Sequence, residues 1–306
     1  MKELFSPNSP YARVMLTLFV CIACFLGTAF VSYLLVIPIF DINFFELSQL
    51  SSNLSDTKSV EILKFLQLFQ SVGLFILSSF IIAWILNEKL LHYTYANLLP
   101  KFKIALLAVL LIITVMPAIN LLTVLNARLD LPDYFNSLEN WMKSTEATAA
   151  KVTEAFLITN SISDLLFNIL LMAIIPAIGE ELLFRGVLLR QLNNWFNNMH
   201  WAIIVSAIIF SAIHMQFYGF VPRMVLGIVF GYLVFWSGSL WTAVIAHFIN
   251  NFMAVMFYYF YNQGKMSKTI DTFGASSDTQ IWGLLSMIAA TAIVYLIYRN
   301  RIFLKE

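Results

Sequence analysis

The chain has 306 residues, 60% of them hydrophobic and only 11% charged, with a formal net charge of +1. Soluble domains carry about 25% charged residues, so this composition excludes water as the main solvent and predicts a polytopic membrane protein. A near-neutral chain without a long basic run has nothing to engage a nucleic-acid backbone, and that class of partner is set aside.

Lys2 and Arg13 precede an apolar run from Val14 to Phe40. The run is too long for a signal-peptide core and no small-residue cleavage site follows it, so it predicts a retained first span. Cys21 and Cys24 lie inside it at C-x-x-C spacing, but with no further ligands or thioredoxin-like context they are predicted to be packing or lipid-facing residues.

A hydrocarbon core needs about 20 apolar residues per helix, and eight segments approach that criterion. They run 14–38, 66–86, 104–126, 161–179, 200–215, 219–237, 240–261 and 281–298. The predicted fold is an all-α polytopic membrane protein with about eight transmembrane helices. A polar, Ser-rich connection with Asp41, Glu46 and Asp56 separates the first two spans; a longer one, 126–160, is predicted to form a surface helix or cap. Pro38, Pro117 and Pro176 are expected at bends or span ends.

Lys2, Arg13, Lys89, Lys101, Lys103, Arg185, Arg190, Arg299, Arg301 and Lys305 fall on one side of this topology; Lys58, Lys64, Lys143, Lys151, Lys265 and Lys268 fall on the other. The bias is modest and predicts both termini in the cytoplasm, with Glu180 near the cytoplasmic end of the fourth span.

Three polar motifs interrupt the apolar segments: Glu180-Glu181-x-x-x-Arg185, Phe210-x-x-x-His214 and His247-x-x-x-Asn251. An ionisable side chain at membrane depth costs about 2.5–3.5 kcal/mol on insertion scales, which makes such residues functional candidates. In a helix, Glu181 and Arg185 share a face and can pair, whereas Glu180 is rotated by about 100° and points elsewhere. Glu181 and Arg185 therefore read as a clamp and Glu180 as the free acid or base. His247 and Asn251 stack on one face, and a cluster of one glutamate and two histidines from three spans is predicted to form an intramembrane polar catalytic cavity. Asp164, Asn168, Asn120 and Arg223 are further candidates to line it, while His92 and His200 read as interfacial.

Two chemistries fit the cluster. In one, Glu180 and His214 hold a water whose proton Glu180 takes, with His247 and Asn251 donating to the oxyanion. In the other, Glu180, His214 and His247 bind zinc. There is no H-E-x-x-H run, the most specific helix signature for zinc.

These three motifs, in order and spacing, resemble the CAAX prenyl protease and bacteriocin-processing (CPBP, or ABI) intramembrane proteases, whose pattern is E-E-x-x-x-R, F-x-x-x-H and H-x-x-x-N or H-x-x-x-D. The resemblance covers about residues 161–260. It implies an endopeptidase with Glu180 as base, His214 positioning the water, His247 and Asn251 in the oxyanion hole, and Glu181, Arg185 and Phe210 supporting them; the family has also been described as metal-dependent. The implied organisation is 1–160 as N-terminal helices with extracytoplasmic loops, 161–260 as catalytic core and 261–306 as a loop and last helix. The implied reaction is hydrolysis of a peptide bond near the cytoplasmic face, in a peptide or membrane-protein substrate, and the compact layout suits a prokaryotic plasma membrane. Two other readings use the same residues: a non-catalytic scaffold or self-immunity protein of the same fold, and a proton-coupled transporter using them as a relay. No internal repeat of the kind transporters show is evident.

Overall fold

The computed structural model describes residues 9–302 except 49, 51, 52, 268, 270 and 271. Lys2, Lys268 and Lys305, which contribute to the predicted orientation, lie outside the described residues.

The described residues form helices and no strand. In chain order these are α1 (Pro10–Phe40), the single turn α2 (Phe44–Leu47), α3 (Thr57–Ile85), α4 (Leu90–Tyr93), α5 (Phe102–Asn126), α6 (Asn136–Leu157), α7 (Ile162–Phe196), α8 (Met199–Ala212), α9 (Phe220–Ser237), α10 (Leu240–Asn262) and α11 (Gln280–Arg299). Seven of them, α1, α3, α5, α7, α9, α10 and α11, are long and apolar enough to cross a bilayer. The eighth expected span, α8, is apolar but has only 14 residues. The predicted cap over 126–160 is α6, a helix lying outside the spans.

The fourth span differs from its prediction. Hydropathy ends it at residue 179, yet α7 continues to Phe196 as a 35-residue helix, with Glu180 near its middle. Its start is fixed by a capping box in which the Ser161 hydroxyl accepts from Asp164 N while the Asp164 carboxylate accepts from Ser161 N, satisfying backbone donors that no preceding turn can engage. Two π-helical stretches, Leu170–Ile174 and Leu182–Leu188, flank the turn that carries Pro176 and Glu180. Pro176 lacks an amide proton, and a widened turn just before it accommodates the lost hydrogen bond without ending the helix. Pro38 and Pro117 likewise sit inside α1 and α5.

Cross-links between loops define the two ends of the bundle. At one end, Leu240 N donates to Tyr95 O at 3.2 Å, Trp241 Nε1 to Ala96 O at 2.8 Å, Ile302 N to Trp236 O at 2.8 Å and Lys103 Nζ to Asn300 Oδ1 at 3.1 Å. Tyr11 of α1 packs edge-on against Trp195 of α7 at the same end, and Arg190 Nη1 donates to Tyr93 O. The start of α1 and the end of α11 both lie there, so this is the terminal end. At the other end, Asn126 Nδ2 donates to Phe217 O, Tyr218 N to a Glu146 carboxylate oxygen of α6, and Asn262 Nδ2 to Leu157 O.

The core is apolar and tightly packed. Cys21 and Cys24 are buried within it as free thiols, in keeping with a packing role. Small residues let helices approach: a Cβ on Gly231 of α9 would lie 2.8 Å from Ile203 of α8, the close contact that drives helix association where lipid removes the hydrophobic gain.

Candidate active site

Glu180 and Glu181 are both buried in the middle of α7, and the helix sends them in different directions as expected from their spacing. Glu181 Oε1 accepts from Arg185 Nη1 at 2.8 Å, one turn along the same helix. The same oxygen accepts from His247 Nδ1 of α10, also at 2.8 Å. Arg185, 2% exposed, donates its other Nη to Gly227 O of α9 at 2.9 Å. A Cβ on Gly227 would stand 3.2 Å from that nitrogen, so the missing side chain admits the guanidinium. Phe210 and Phe230 lie 4.5 and 5.4 Å from the guanidinium carbon, a cation–π enclosure for a charge that water does not reach.

The expected Glu181–Arg185 clamp is therefore one arm of a larger assembly that also orients His247. The Phe230 ring stacks on His247 with centroids 5.1 Å apart and planes 18° off parallel, completing that orientation. With Nδ1 donating to Glu181, His247 turns Nε2 toward Glu180 Oε2 at 3.9 Å. That separation is too long for a hydrogen bond and short enough for the two groups to act on a common small molecule.

His214 follows the last turn of α8, where carbonyls have no intrahelical amide partner. Its Nδ1 donates to Phe210 O at 2.8 Å, and this gives the Phe210-x-x-x-His214 spacing its physical sense. A carbonyl only accepts, so Nδ1 carries the proton and Nε2 of the neutral ring offers a lone pair. Asn251 Nδ2 donates to Met172 O of α7 at 3.1 Å, and its Oδ1 accepts from Asn250 Nδ2 at 3.0 Å. The amide is thus held in place with a second N–H still available.

Glu180, His214, His247 and Asn251 all line one cavity of about 840 Å³. α6 contributes Ala149, Val152, Thr153 and Phe156 to its wall, and Gln216 and Gly219 come from the loop that α6 and Asn126 hold. Thr123, near the end of α5, and Ala254, beyond Asn251 on α10, extend it in the same direction. The cavity thus runs from Glu180 toward the end of the bundle that α6 covers, opposite the termini. The sequence reading places Glu180 at a span end on the side of the termini, whereas the lining of this cavity extends away from them.

Of the further candidates, Arg223 alone lines the cavity among the described residues. Asn168 accepts from the buried Lys64 at 2.7 Å, Asp164 caps α7, and Asn120 donates to Phe273 O. His200 pairs with Tyr232 near a helix start. Sequence reasoning missed Phe230, Gly227 and the α6 wall, because each acts across helices and none stands at a recognisable spacing from a motif.

The zinc alternative requires Glu180, His214 and His247 to converge as ligands. Among the described residues no group of three His, Cys, Asp or Glu side chains is placed to hold a metal ion; Nδ1 of each histidine donates to an oxygen, so Nε2 is the atom each would present to a metal.

Residues 162–253 match the family model for Rce1-like type II CAAX prenyl endopeptidases, a stretch that contains all three motifs. The match agrees with the resemblance carried by those motifs. No curated protein and no solved structure matches the sequence.

Proposed function

We propose that this protein is an intramembrane endopeptidase that hydrolyses a peptide bond in the Glu180 cavity. The observation that carries the reading is the convergence of Glu180, His214, His247 and Asn251, from α7, α10 and the end of α8, on one cavity within the Rce1-like stretch. A CAAX-protease-type domain supports peptide-bond hydrolysis; the assignment of roles rests on the local chemistry.

Glu180 makes only the 3.9 Å approach to His247 among the described residues, so its carboxylate is available to a water. His214 Nε2 accepts from that water and orients it. Glu180 takes the proton as the water oxygen attacks the scissile carbonyl carbon. Negative charge then develops on the carbonyl oxygen, and the second N–H of Asn251 with Nε2–H of His247 donates to it. Donation from Nε2 requires the cationic ring, for which Glu181 is the counter-charge. Collapse breaks the C–N bond, and Glu180 returns its proton to the leaving amine.

Assigning both termini to the cytoplasm, as the Lys and Arg bias favours, makes the cavity open at the extracytoplasmic face. The peptides processed would then be segments of membrane or exported proteins presented there, and an extracytoplasmic opening replaces the cytoplasmic one in this reading.

Quantitative mass spectrometry of peptide termini, in cells expressing the wild-type protein or Glu180→Gln, tests the reading. Termini that disappear in the variant, at equal expression and fold, are expected. Identical terminal profiles from the two proteins would sink it.

A further inference from the structure

Among the described residues that line the cavity, Arg223 is the only arginine or lysine, and the mechanism above does not use it. It sits in the first turn of α9, where its backbone amide donates to Gly219 O. Its Nη2 donates to Gln216 Oε1, a neutral acceptor from the same loop. Gly219 leaves room for this arrangement, since a Cβ there would stand 3.3 Å from Nη2. The other terminal nitrogen, Nη1, is buried with no hydrogen-bond partner among the described residues. The acidic groups whose charge Arg223 feels are Glu180, reserved for the water, and Glu146, already accepting from Tyr218 N.

A guanidinium nitrogen buried with unused donor capacity is costly, and a small swing that pairs it with an entering anion is favourable. Its planar fork matches a carboxylate bidentately. Peptides carry carboxylates on Asp and Glu side chains and at the carboxy terminus. We infer that Arg223, set by Gln216, is a specificity-determining residue that receives a carboxylate of the peptide substrate beside the scissile bond. The inference rests on the peptidase reading and adds the chemical class that the cavity selects. A guanidinium serving only to balance Glu180 would affect all peptides alike, and this separates the two roles.

The test uses the full-length protein in detergent and a peptide spanning a Glu180-dependent cleavage site found as above. The peptide is made as the free acid, as the C-terminal amide, and with Asp and Glu replaced by Asn and Gln. On the wild type, one neutralised form is expected to lose about tenfold or more in kcat/KM, mostly through KM, as a charge-assisted hydrogen bond implies. The form that loses identifies the source, Asp or Glu on the one hand or the carboxy terminus on the other. On Arg223→Gln the charged and neutral forms should be cleaved alike, and Gln216→Ala should narrow the gap. Wild-type indifference to both neutralisations overturns the inference without any variant, as does an undiminished preference in Arg223→Gln. If Glu180→Gln is inactive while either of those results holds, only the carboxylate assignment fails. Cleavage that persists in Glu180→Gln, or an absence of Glu180-dependent termini, removes the peptidase reading and the subsite with it.

Discussion

Glu181 links more of the site than any other residue, because one carboxylate oxygen accepts from both Arg185 and His247. Its second oxygen is buried without a partner among the described residues, so the contacts with Arg185 and His247 carry the whole stabilisation of a group that is 0% exposed. Glu181→Gln retains the shape but leaves the Arg185 charge without its counter-ion, a change that costs about 3–5 kcal/mol when a buried pair is broken. The expected result is a markedly lower unfolding temperature together with a slower Glu180-dependent cleavage, since the His247 ring loses the counter-charge that its cationic form needs. An unchanged unfolding temperature would show that water reaches the pair. Asn251→Ala removes a donor to the oxyanion and should lower kcat by about 10²-fold; cleavage within twofold of wild type would take Asn251 out of the hole. At this scale the sequence is informative wherever partners share a helix. The four-residue spacings of Glu181 with Arg185 and of Phe210 with His214 both correspond to contacts, at 2.8 Å each. The bond from His247 to Glu181 joins residues 66 positions apart, and spacing cannot report it because it depends on the relative register of α7 and α10.

At the scale of elements, α7 shows why hydropathy finds the spans more readily than their limits. The apolar signal falls where Glu180, Glu181 and Arg185 enter, and hydropathy therefore ends the span at 179. The charges are internal to the bundle, with Glu181 paired to Arg185, and the helix continues through them to Phe196. Nor does composition announce the two π-helical stretches on either side of Glu180, since Arg185 and Gly186 aside their residues are common in apolar helices. π-turns inside α-helices often accompany functional sites, where the added residue re-aims side chains. Gly186 lies in the second stretch, and a Cβ there would stand 2.7 Å from Thr94 Cβ. Thr94 is fully buried and its hydroxyl is tied to Leu90 O, so it has little freedom to yield. Gly186→Ala should therefore push α7 away from the loop after α4, at a cost of about 1–3 kcal/mol for overpacking. Thermal unfolding in detergent measures it, and a stability equal to wild type would mean that the two segments separate freely.

For the molecule as a whole, the question is which face of the membrane the cavity serves, and sequence and structure contribute different halves of the answer. The structure fixes the relation between site and termini: the loops bearing Tyr95, Ala96 and Asn300 gather at the terminal end, while α6 and the loop bearing Tyr218 gather at the end toward which the cavity runs. Absolute orientation comes from Lys and Arg near the span ends, a modest excess on the terminal side. Joined, they predict an extracytoplasmic cavity. Because the native Cys21 and Cys24 are buried in the core, single introduced cysteines make this measurable with a membrane-impermeant maleimide. Ala254→Cys, exposed and in the cavity wall, should react in intact cells. Lys101→Cys, exposed at the terminal end, should react only after the membrane is permeabilised. The reverse pattern would place the termini outside and restore a cytoplasmic opening, leaving the chemistry around Glu180 untouched but changing the set of peptides that can reach it. Reaction of both sites in intact cells would mean that water passes through the bundle, a result at odds with a sealed peptidase and in favour of a permeation pathway built on the same residues.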